Sequence, residues 1–155
     1  MTLFDTPAPL AISLFVAGKP APQGSKRGMH HKQSGKIILL ESSKKVRPWR
    51  QDVRQAFTGP DGNPLIVFPP GWPILVVAEF VMPRLARFPK TRPTPPHTKK
   101  PDLDKLIRAV LDAIGSAGVW TDDAQVNRIT DLSKRYAERD ETSGCHIMLR
   151  SEGLS

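Results

Sequence analysis

Hydrophobic and polar residues alternate along two stretches of the chain, and this pattern predicts two strands. The first stretch covers residues 10–17 and the second covers residues 145–150. Alternation with a period of two is typical of a strand that buries one face. A third stretch, residues 74–82, is almost continuously apolar and lies between prolines, which is typical of a buried strand.

Two other stretches repeat their apolar residues every three or four positions and are predicted to be helices. The first covers residues 46–57, where the polar face is rich in arginine and Trp49 lies on the apolar face. The second covers residues 103–114, and we expect Gly115 and Gly118 to end it.

Residues 37–40 and residues 126–136 are weaker strand candidates. Ile129 breaks the alternation of the second segment and predicts a bulge there. The predicted order is β, β, α, β, α, β, β. This order favours an α+β fold in which two main helices pack on a small mixed sheet, within a single domain covering residues 1–155.

The composition predicts a modest core with long loops. The chain has 155 residues, of which 39% are hydrophobic and 16 are proline. Two segments are predicted to be irregular: a basic loop at 18–45, and a proline-rich arm at 83–101 that is extended or mobile.

The same composition excludes several classes of protein. The longest apolar stretch is too short to span a membrane, and residues 1–9 do not resemble a secretory signal, so we expect a cytoplasmic protein. The only cysteine, Cys145, excludes an internal disulfide framework, and we expect its side chain to be buried.

The formal net charge of +8 is distributed unevenly. Residues 19–54 contain ten basic and two acidic residues, and residues 84–100 contain six basic residues and no acidic residue. Residues 102–123 then contain five aspartates and only two basic residues. Basic segments followed by an acidic cluster indicate a polyanion-binding protein that carries a metal site, although solvated loops and a capped helix would also account for the pattern.

Four of the aspartates form two pairs in the sequence. Asp102 and Asp104 flank the predicted start of the second helix, and Asp122 and Asp123 precede the strand at 126–136. If this helix packs on that strand, its first turn would approach the second pair. Carboxylates in close proximity repel one another, and a divalent cation such as Mg²⁺, which prefers oxygen ligands, would keep them ionised.

A purely structural interpretation of these aspartates is also open. Asp102 is a suitable N-cap, and Asp104 opposes the helix dipole and can form an i,i+4 ion pair with Arg108. Asp122 and Asp123 would then only shape a turn. We expect Trp120 to pack behind Asp123 in either case.

Three segments together resemble the RusA family of Holliday-junction resolvases, which occurs in bacteria and their phages and prophages. They are KPDLDKLIRAVLDAI at 100–114, GVWTDDAQV at 118–126 and, more loosely, GKPAPQGSKR at 18–27. Several elements at defined spacings make this pattern far more specific than a single Asp-x-Asp motif.

The resemblance implies roles for individual residues. The family's metal-binding and catalytic aspartates correspond to Asp102, Asp104 and Asp123, and Asp122 is a weaker candidate for a metal ligand or for a supporting residue. The family's functional lysine corresponds to Arg108, which keeps the charge but changes its geometry. The usual asparagine after the second aspartate is Lys105 here.

The resemblance also implies an activity. It is that of a Mg²⁺-dependent endonuclease, with Mn²⁺ as an expected substitute, which acts as a homodimer on four-way DNA junctions in recombination and repair. Symmetric nicks in two strands would leave ligatable ends. The alternatives are a nuclease for flaps or forks and a non-catalytic DNA-binding protein with the same fold. The residues expected to bind DNA are Lys19, Lys26, Arg27, Lys99, Lys100 and Lys105.

Overall fold

The computed structural model describes residues 8–24, 27–30, 37–40 and 44–154, and for 27–30 and 37–40 it describes only the backbone. Its main sheet consists of the strands β1 (Leu10–Ala17), β4 (Ile74–Met82), β5 (Val126–Tyr136) and β6 (Gly144–Ser151). Their order in the sheet is β1-β6-β4-β5. Strand β6 pairs antiparallel with both β1 and β4, whereas β4 and β5 are parallel, so the sheet is mixed.

Two helices complete the fold and confirm the predicted α+β class. Helix α1 (Val46–Ala56) packs against helix α2 (Leu103–Ser116) and against β1. The buried residues of both helices and of the sheet form one core, in which Trp49 is 1% exposed. The 3–4 spacing in each helix and the alternation in each strand supply the apolar faces that meet there.

A separate two-stranded sheet occupies the basic loop. It pairs β2 (Arg27–His30) with β3 (Ile37–Leu40) in antiparallel register. Strand β3 was predicted, whereas β2 was not, because its sequence Arg-Gly-Met-His has no apolar alternation.

Two local predictions need correction. Ile129 pairs regularly with Val76, but the register shifts on either side of it, between Ile74 and Leu75 and between Val77 and Glu79. At the second shift, Asp131 on the opposite strand has a φ of 51°. The irregularities therefore flank Ile129. Helix α2 also continues through Gly115 to Ser116, and the first glycine after it, at 118, has a φ of 87° that suits a helix end.

The proline-rich arm contains neither helix nor strand, as predicted, but it is not a free segment. Phe88 packs edge-on against Tyr136 with ring centroids 4.9 Å apart, and His97 lies against the same tyrosine at 4.3 Å. Thr94 also donates a hydrogen bond to Glu138. These contacts hold the arm against the end of β5 and against the loop that follows it.

Two further predictions concern single features. Cys145 is fully buried, as expected, and burial raises the pKa of its thiol. Neither helix in the described part of the chain has the length and the apolar run needed to cross a bilayer.

Candidate active site

The first pair of aspartates lies at the start of α2 and is exposed. Asp102 occupies the N-cap position, but its side chain accepts no capping hydrogen bond, and Asp104 lies in the first turn. The ion pair in this part of the described chain joins Asp102 to Lys105 at 3.9 Å, rather than Asp104 to Arg108. Because neither carboxylate caps the helix through a hydrogen bond, both remain available as ligands.

Lysines surround Asp102. A cleft of about 520 Å³ is lined by Asp102 together with four lysines, of which Lys19, Lys100 and Lys105 had been predicted to bind DNA and Lys45 had not. The cleft lies between the loop after β1, the end of β4 and the start of α2. Arg108 is exposed one turn further along the helix. This end of α2 therefore combines exposed carboxylates with a concentration of positive charge.

Three other predicted DNA-binding residues are less well defined. Lys26 lies outside the described residues, and only the backbone of Arg27 is described, in β2. Lys99 is exposed, and its carbonyl oxygen accepts a hydrogen bond from Lys134.

Lys134 was missed by the sequence interpretation and holds the backbone that leads into Asp102. Its Nζ donates to the carbonyl oxygens of Lys99 (2.7 Å) and Pro101 (2.8 Å). Burial and, to a smaller extent, the Lys134 charge lower the pKa of His97. The lowered pKa favours the neutral form of this histidine.

The second pair of aspartates lies beyond the other end of α2, in the short 3₁₀ turn Asp123–Gln125 and at its N-cap. Asp122 accepts a hydrogen bond from the backbone N–H of Ala124 (2.8 Å) and forms a capping box with Gln125. The structural interpretation is therefore supported for Asp122, because its carboxylate is used to cap this turn.

Asp123 is held by a different set of contacts. The indole N–H of Trp120 donates to Asp123 Oδ1 at 2.8 Å, which extends the expectation that Trp120 packs behind this residue. A Cβ placed on Gly115 would lie 2.8 Å from Asp123 Oδ1 and 3.0 Å from Trp120 Nε1. Gly115 is thus required for the close approach of the carboxylate and the indole to α2, and not to end the helix.

Gln125 fixes the loop that carries Asp123. Its amide nitrogen donates to the carbonyl oxygens of Pro69 and Trp72, and its amide oxygen accepts from the N–H groups of Thr121 and Asp122. The residue is 8% exposed. A fully satisfied buried amide of this kind makes the loop conformation well determined.

A shallow depression of about 420 Å³ surrounds Asp123. Besides the Asp122–Asp123 pair, it is lined by Asp112 and Ser116 of α2 and by Arg50 of α1. Arg50 and Asp112 were not predicted site residues, since the motif alone gives no indication that α1 passes this end of α2.

The two pairs of aspartates do not meet within one chain. Asp123 contacts the position of Gly115, which is 11 residues after Asp104 in the same helix. At 1.5 Å per residue, this corresponds to about 16 Å along the helix axis. The expectation that the first turn of α2 approaches the second pair is therefore wrong for a single copy. Among the described residues, no three acidic, histidine or cysteine side chains could together hold a metal ion.

Comparison with known proteins identifies the family to which the chain is similar. The family model described as "Endodeoxyribonuclease RusA" matches residues 17–149, which include both ends of α2 and both pairs of aspartates. A search of curated proteins finds no match to the chain.

Proposed function

The chain belongs to the RusA endodeoxyribonuclease family, and on this basis we propose that it is a Mg²⁺-dependent enzyme that resolves four-way (Holliday) DNA junctions. The observation that carries the proposal is the start of α2. There, two exposed carboxylates without capping hydrogen bonds adjoin a cleft lined by four lysines. A binding surface alone would need only the lysines, because exposed aspartates repel the DNA backbone unless a cation lies between them.

The metal does not fit a site made by one chain. Asp102 and Asp104 could supply two carboxylates, but Asp123 is about 16 Å away along the helix. A two-fold axis that pairs two copies of α2 in antiparallel orientation would bring Asp123 of one copy near Asp102 and Asp104 of the other. We therefore include a homodimer in the proposal, with each Mg²⁺ held between two copies of the chain.

Each group at the site then has a defined task. Lys19, Lys100 and Lys105 bind the phosphates on either side of the cleavage position, and Arg108 adds positive charge beside Asp104. Trp120 keeps one oxygen of Asp123 occupied, which would leave the other oxygen of this exposed residue for a metal ion. Bound Mg²⁺ would supply Lewis acidity to the phosphate being cut, and Mn²⁺, which accepts the same oxygen ligands, is expected to replace it.

The symmetry of the proposed dimer suits its substrate. A four-way junction has approximate two-fold symmetry, and a symmetric dimer has two equivalent sites. Two nicks at corresponding positions of opposite strands would follow, which separates the junction into two duplexes.

The experiment that tests the proposal is cleavage of matched DNA substrates. The purified protein is incubated with a four-way junction, a fork, a flap and a linear duplex that share their sequences, in Mg²⁺ and in EDTA. We expect rapid paired nicking of the four-way junction in Mg²⁺ and none in EDTA. Asp104→Asn should bind the junction without cutting it. Asp140→Asn, which alters a carboxylate that is 92% exposed, is the matched control and should cut normally.

Three outcomes would contradict the proposed function, in whole or in part, and each would indicate a different one. Faster cutting of forks or flaps would identify a nuclease for other branched DNA. Equal cutting of linear duplex would exclude junction specificity and retain the nuclease. Binding without cutting, in either Mg²⁺ or Mn²⁺, would identify a DNA-binding protein that has kept the fold.

A further inference from the structure

The polar face of helix α1 carries three arginines in a row. Arg47, Arg50 and Arg54 are three and four residues apart, so they lie on one side of the helix and span about 10 Å along its axis. They line a groove of about 570 Å³, whose other lining residues are the polar Gln51, Gln55, Thr58 and Ser116. No acidic side chain is among the described residues that line this arginine groove.

The arrangement of these charges does not stabilise α1. Like charges three or four residues apart on a helix repel one another. The first turn contains Arg47 and no acidic residue, which is the reverse of what the helix dipole favours. Asp52, the only acidic residue of α1, lies against Gly18 and does not line the groove.

The two outer arginines also lack partners of opposite charge. Arg47 and Arg54 are exposed, and within the ranges that the structure describes no ion pair involves either of them. Cations that repel one another and have no carboxylate nearby are suited to an anion from outside the chain.

The position of the groove indicates which anion it would meet. The groove shares Arg50 and Ser116 with the depression that surrounds Asp123. In the proposed dimer, Asp123 of one copy lies near Asp102 and Asp104 of the other. The arginine groove of one copy then lies beside the lysine-lined cleft of the other copy, and a DNA strand that is cut there can extend from the lysines onto the arginines.

We propose that the arginine groove of α1 binds backbone phosphates of the cut strand, beyond the phosphates that the lysines bind. Each cleavage site would then use lysines from one copy and arginines from the other. Guanidinium groups suit this task, because their planar forks donate paired hydrogen bonds to phosphate oxygens. The inference rests on the proposed function and extends it, because it assigns part of the DNA surface to a helix outside the family-like motifs.

The alternative role of the groove is a contact between two copies, in which the arginines pair with carboxylates of the other copy. Charge complementarity favours DNA. A second copy carries the same net charge of +8, whereas duplex DNA carries about one negative charge per 1.7 Å of its axis. The two roles differ in the salt dependence of DNA binding and in the oligomeric state, and both can be measured without cleavage.

The test measures the affinity of the full-length protein for a fixed four-way junction in EDTA, over a series of salt concentrations. The variant is the double substitution Arg47→Gln and Arg54→Gln, since glutamine has nearly the helix propensity of arginine. We expect the slope of log affinity against log salt concentration to become shallower by about two, one unit for each lost phosphate contact. A slope equal to that of the wild type would overturn the inference.

The matched control removes the same charge from another surface. Arg128 and Arg150 are exposed, and both pair with Leu75 on the face of the sheet that is directed away from the helices. Arg128→Gln with Arg150→Gln should leave the slope unchanged. If the control lowers the slope as much as the groove variant, the effect comes from net charge and the inference is wrong.

The oligomeric state of the groove variant separates the two roles. We expect the same molar mass as the wild type in light scattering at matched protein concentrations. A variant that dissociates where the wild type does not would identify the groove as a contact between copies and overturn the inference.

A second measurement asks which cleavage site the arginines serve. A heterodimer that combines Asp104→Asn in its first copy with Asp123→Asn in its second retains one intact site, made by Asp123 of the first and Asp104 of the second. Substitution of Arg47 and Arg54 in the first copy should slow nicking by saturating protein at least about threefold more than the same change in the second. Equal effects would contradict the proposed division between copies.

These outcomes can be distinguished from failure of the proposed function. Cutting of four-way junctions by a protein whose groove variant keeps the wild-type slope would retain the resolvase and overturn the groove assignment. A shallower slope in a protein that never cuts would retain phosphate binding by the groove and overturn the enzyme.

Discussion

The two ends of helix α2 carry the same type of residue in contrasting environments. At the first end, Asp102 and Asp104 are exposed beside a cleft lined by lysines, and neither accepts a capping hydrogen bond. At the second end, Asp122 caps a turn, and Asp123 accepts a hydrogen bond from the indole N–H of Trp120. Asp123 can approach α2 closely because Gly115 has no side chain. The first end offers exposed carboxylates in a cationic surface, whereas the second offers one carboxylate whose orientation is set by a hydrogen bond.

This difference explains why neither end is sufficient by itself. Two exposed carboxylates supply too few protein ligands to hold a metal tightly, and a single carboxylate cannot hold it alone. The metal site that we propose requires both ends, and the length of α2 separates them by about 16 Å in one chain. Pairing of two chains is the simplest arrangement that satisfies both requirements.

The largest predicted effect separates the two aspartates of the second end. Asp123→Ala should reduce junction cutting by at least about a hundredfold, because it removes a proposed metal ligand, and it should leave junction binding intact. Asp122→Ala removes a cap and should lower the free energy of unfolding by about 1 kcal/mol while cutting stays within about threefold. Cleavage rates and urea denaturation measure the two effects. Equal losses of cutting would show that the two residues do not have different tasks.

A glycine substitution tests whether the orientation of Asp123 matters. Gly115→Ala inserts a methyl group 2.8 Å from Asp123 Oδ1 and should displace the carboxylate. A displacement of about 1 Å at a reacting site costs on the order of a hundredfold in rate. Single-turnover cleavage measures this loss. Gly59→Ala is the matched control, because its nearest neighbour is the exposed side chain of Asp61, and normal cutting by both variants would refute the positional role of Gly115.

The indole hydrogen bond should have a smaller effect that depends on the metal concentration. Trp120→Phe removes the N–H that binds Asp123, and the Mg²⁺ concentration needed for half-maximal cutting should rise by about tenfold. Trp49→Phe is the matched control, because the buried Nε1 of Trp49 has no hydrogen-bond partner among the described residues. Both variants lose packing, but only Trp120→Phe should alter the metal titration. A shift of equal size in both would indicate a general effect of stability.

The smallest predicted effect concerns the backbone before Asp102. Lys134→Met removes two hydrogen bonds, to the carbonyl oxygens of Lys99 and Pro101. We expect cutting to fall by less than about tenfold and amide hydrogen exchange at 99–102 to become faster. Arg139→Met, at an exposed arginine near Asp140, should change neither quantity. Unchanged exchange in Lys134→Met would show that other contacts hold this segment.

Much of the fold could be predicted because its signals are local. The alternation at 10–17 and the 3–4 spacing at 46–57 each determine one buried face, and the structure places a strand and a helix there. Strand β2 could not be predicted in this way, since Arg27–His30 pairs through its backbone with β3 and has no apolar pattern of its own. The order of strands in the sheet also depends on contacts between distant segments.

The candidate site shows a different limit of sequence interpretation. The motif identified the aspartates, and the separation of the two pairs could have been predicted, because a helix from residue 103 to 114 already implies ends about 16 Å apart. Three features could not be predicted from local patterns: the close approach at Gly115, the contacts of Lys134 with the arm, and the position of Arg50 near Asp123. Each depends on how α2 packs against neighbouring elements.

The most direct test of the shared site mixes two inactive variants. Asp104→Asn and Asp123→Asn are co-expressed with different tags, and the heterodimer is purified through both tags. If each metal site combines Asp104 of one copy with Asp123 of the other, one site of the heterodimer carries both substitutions and the second site is intact. The account predicts that the heterodimer nicks one strand of a four-way junction at about half the wild-type rate, whereas each parent variant is inactive. A heterodimer as inactive as its parents would contradict the account.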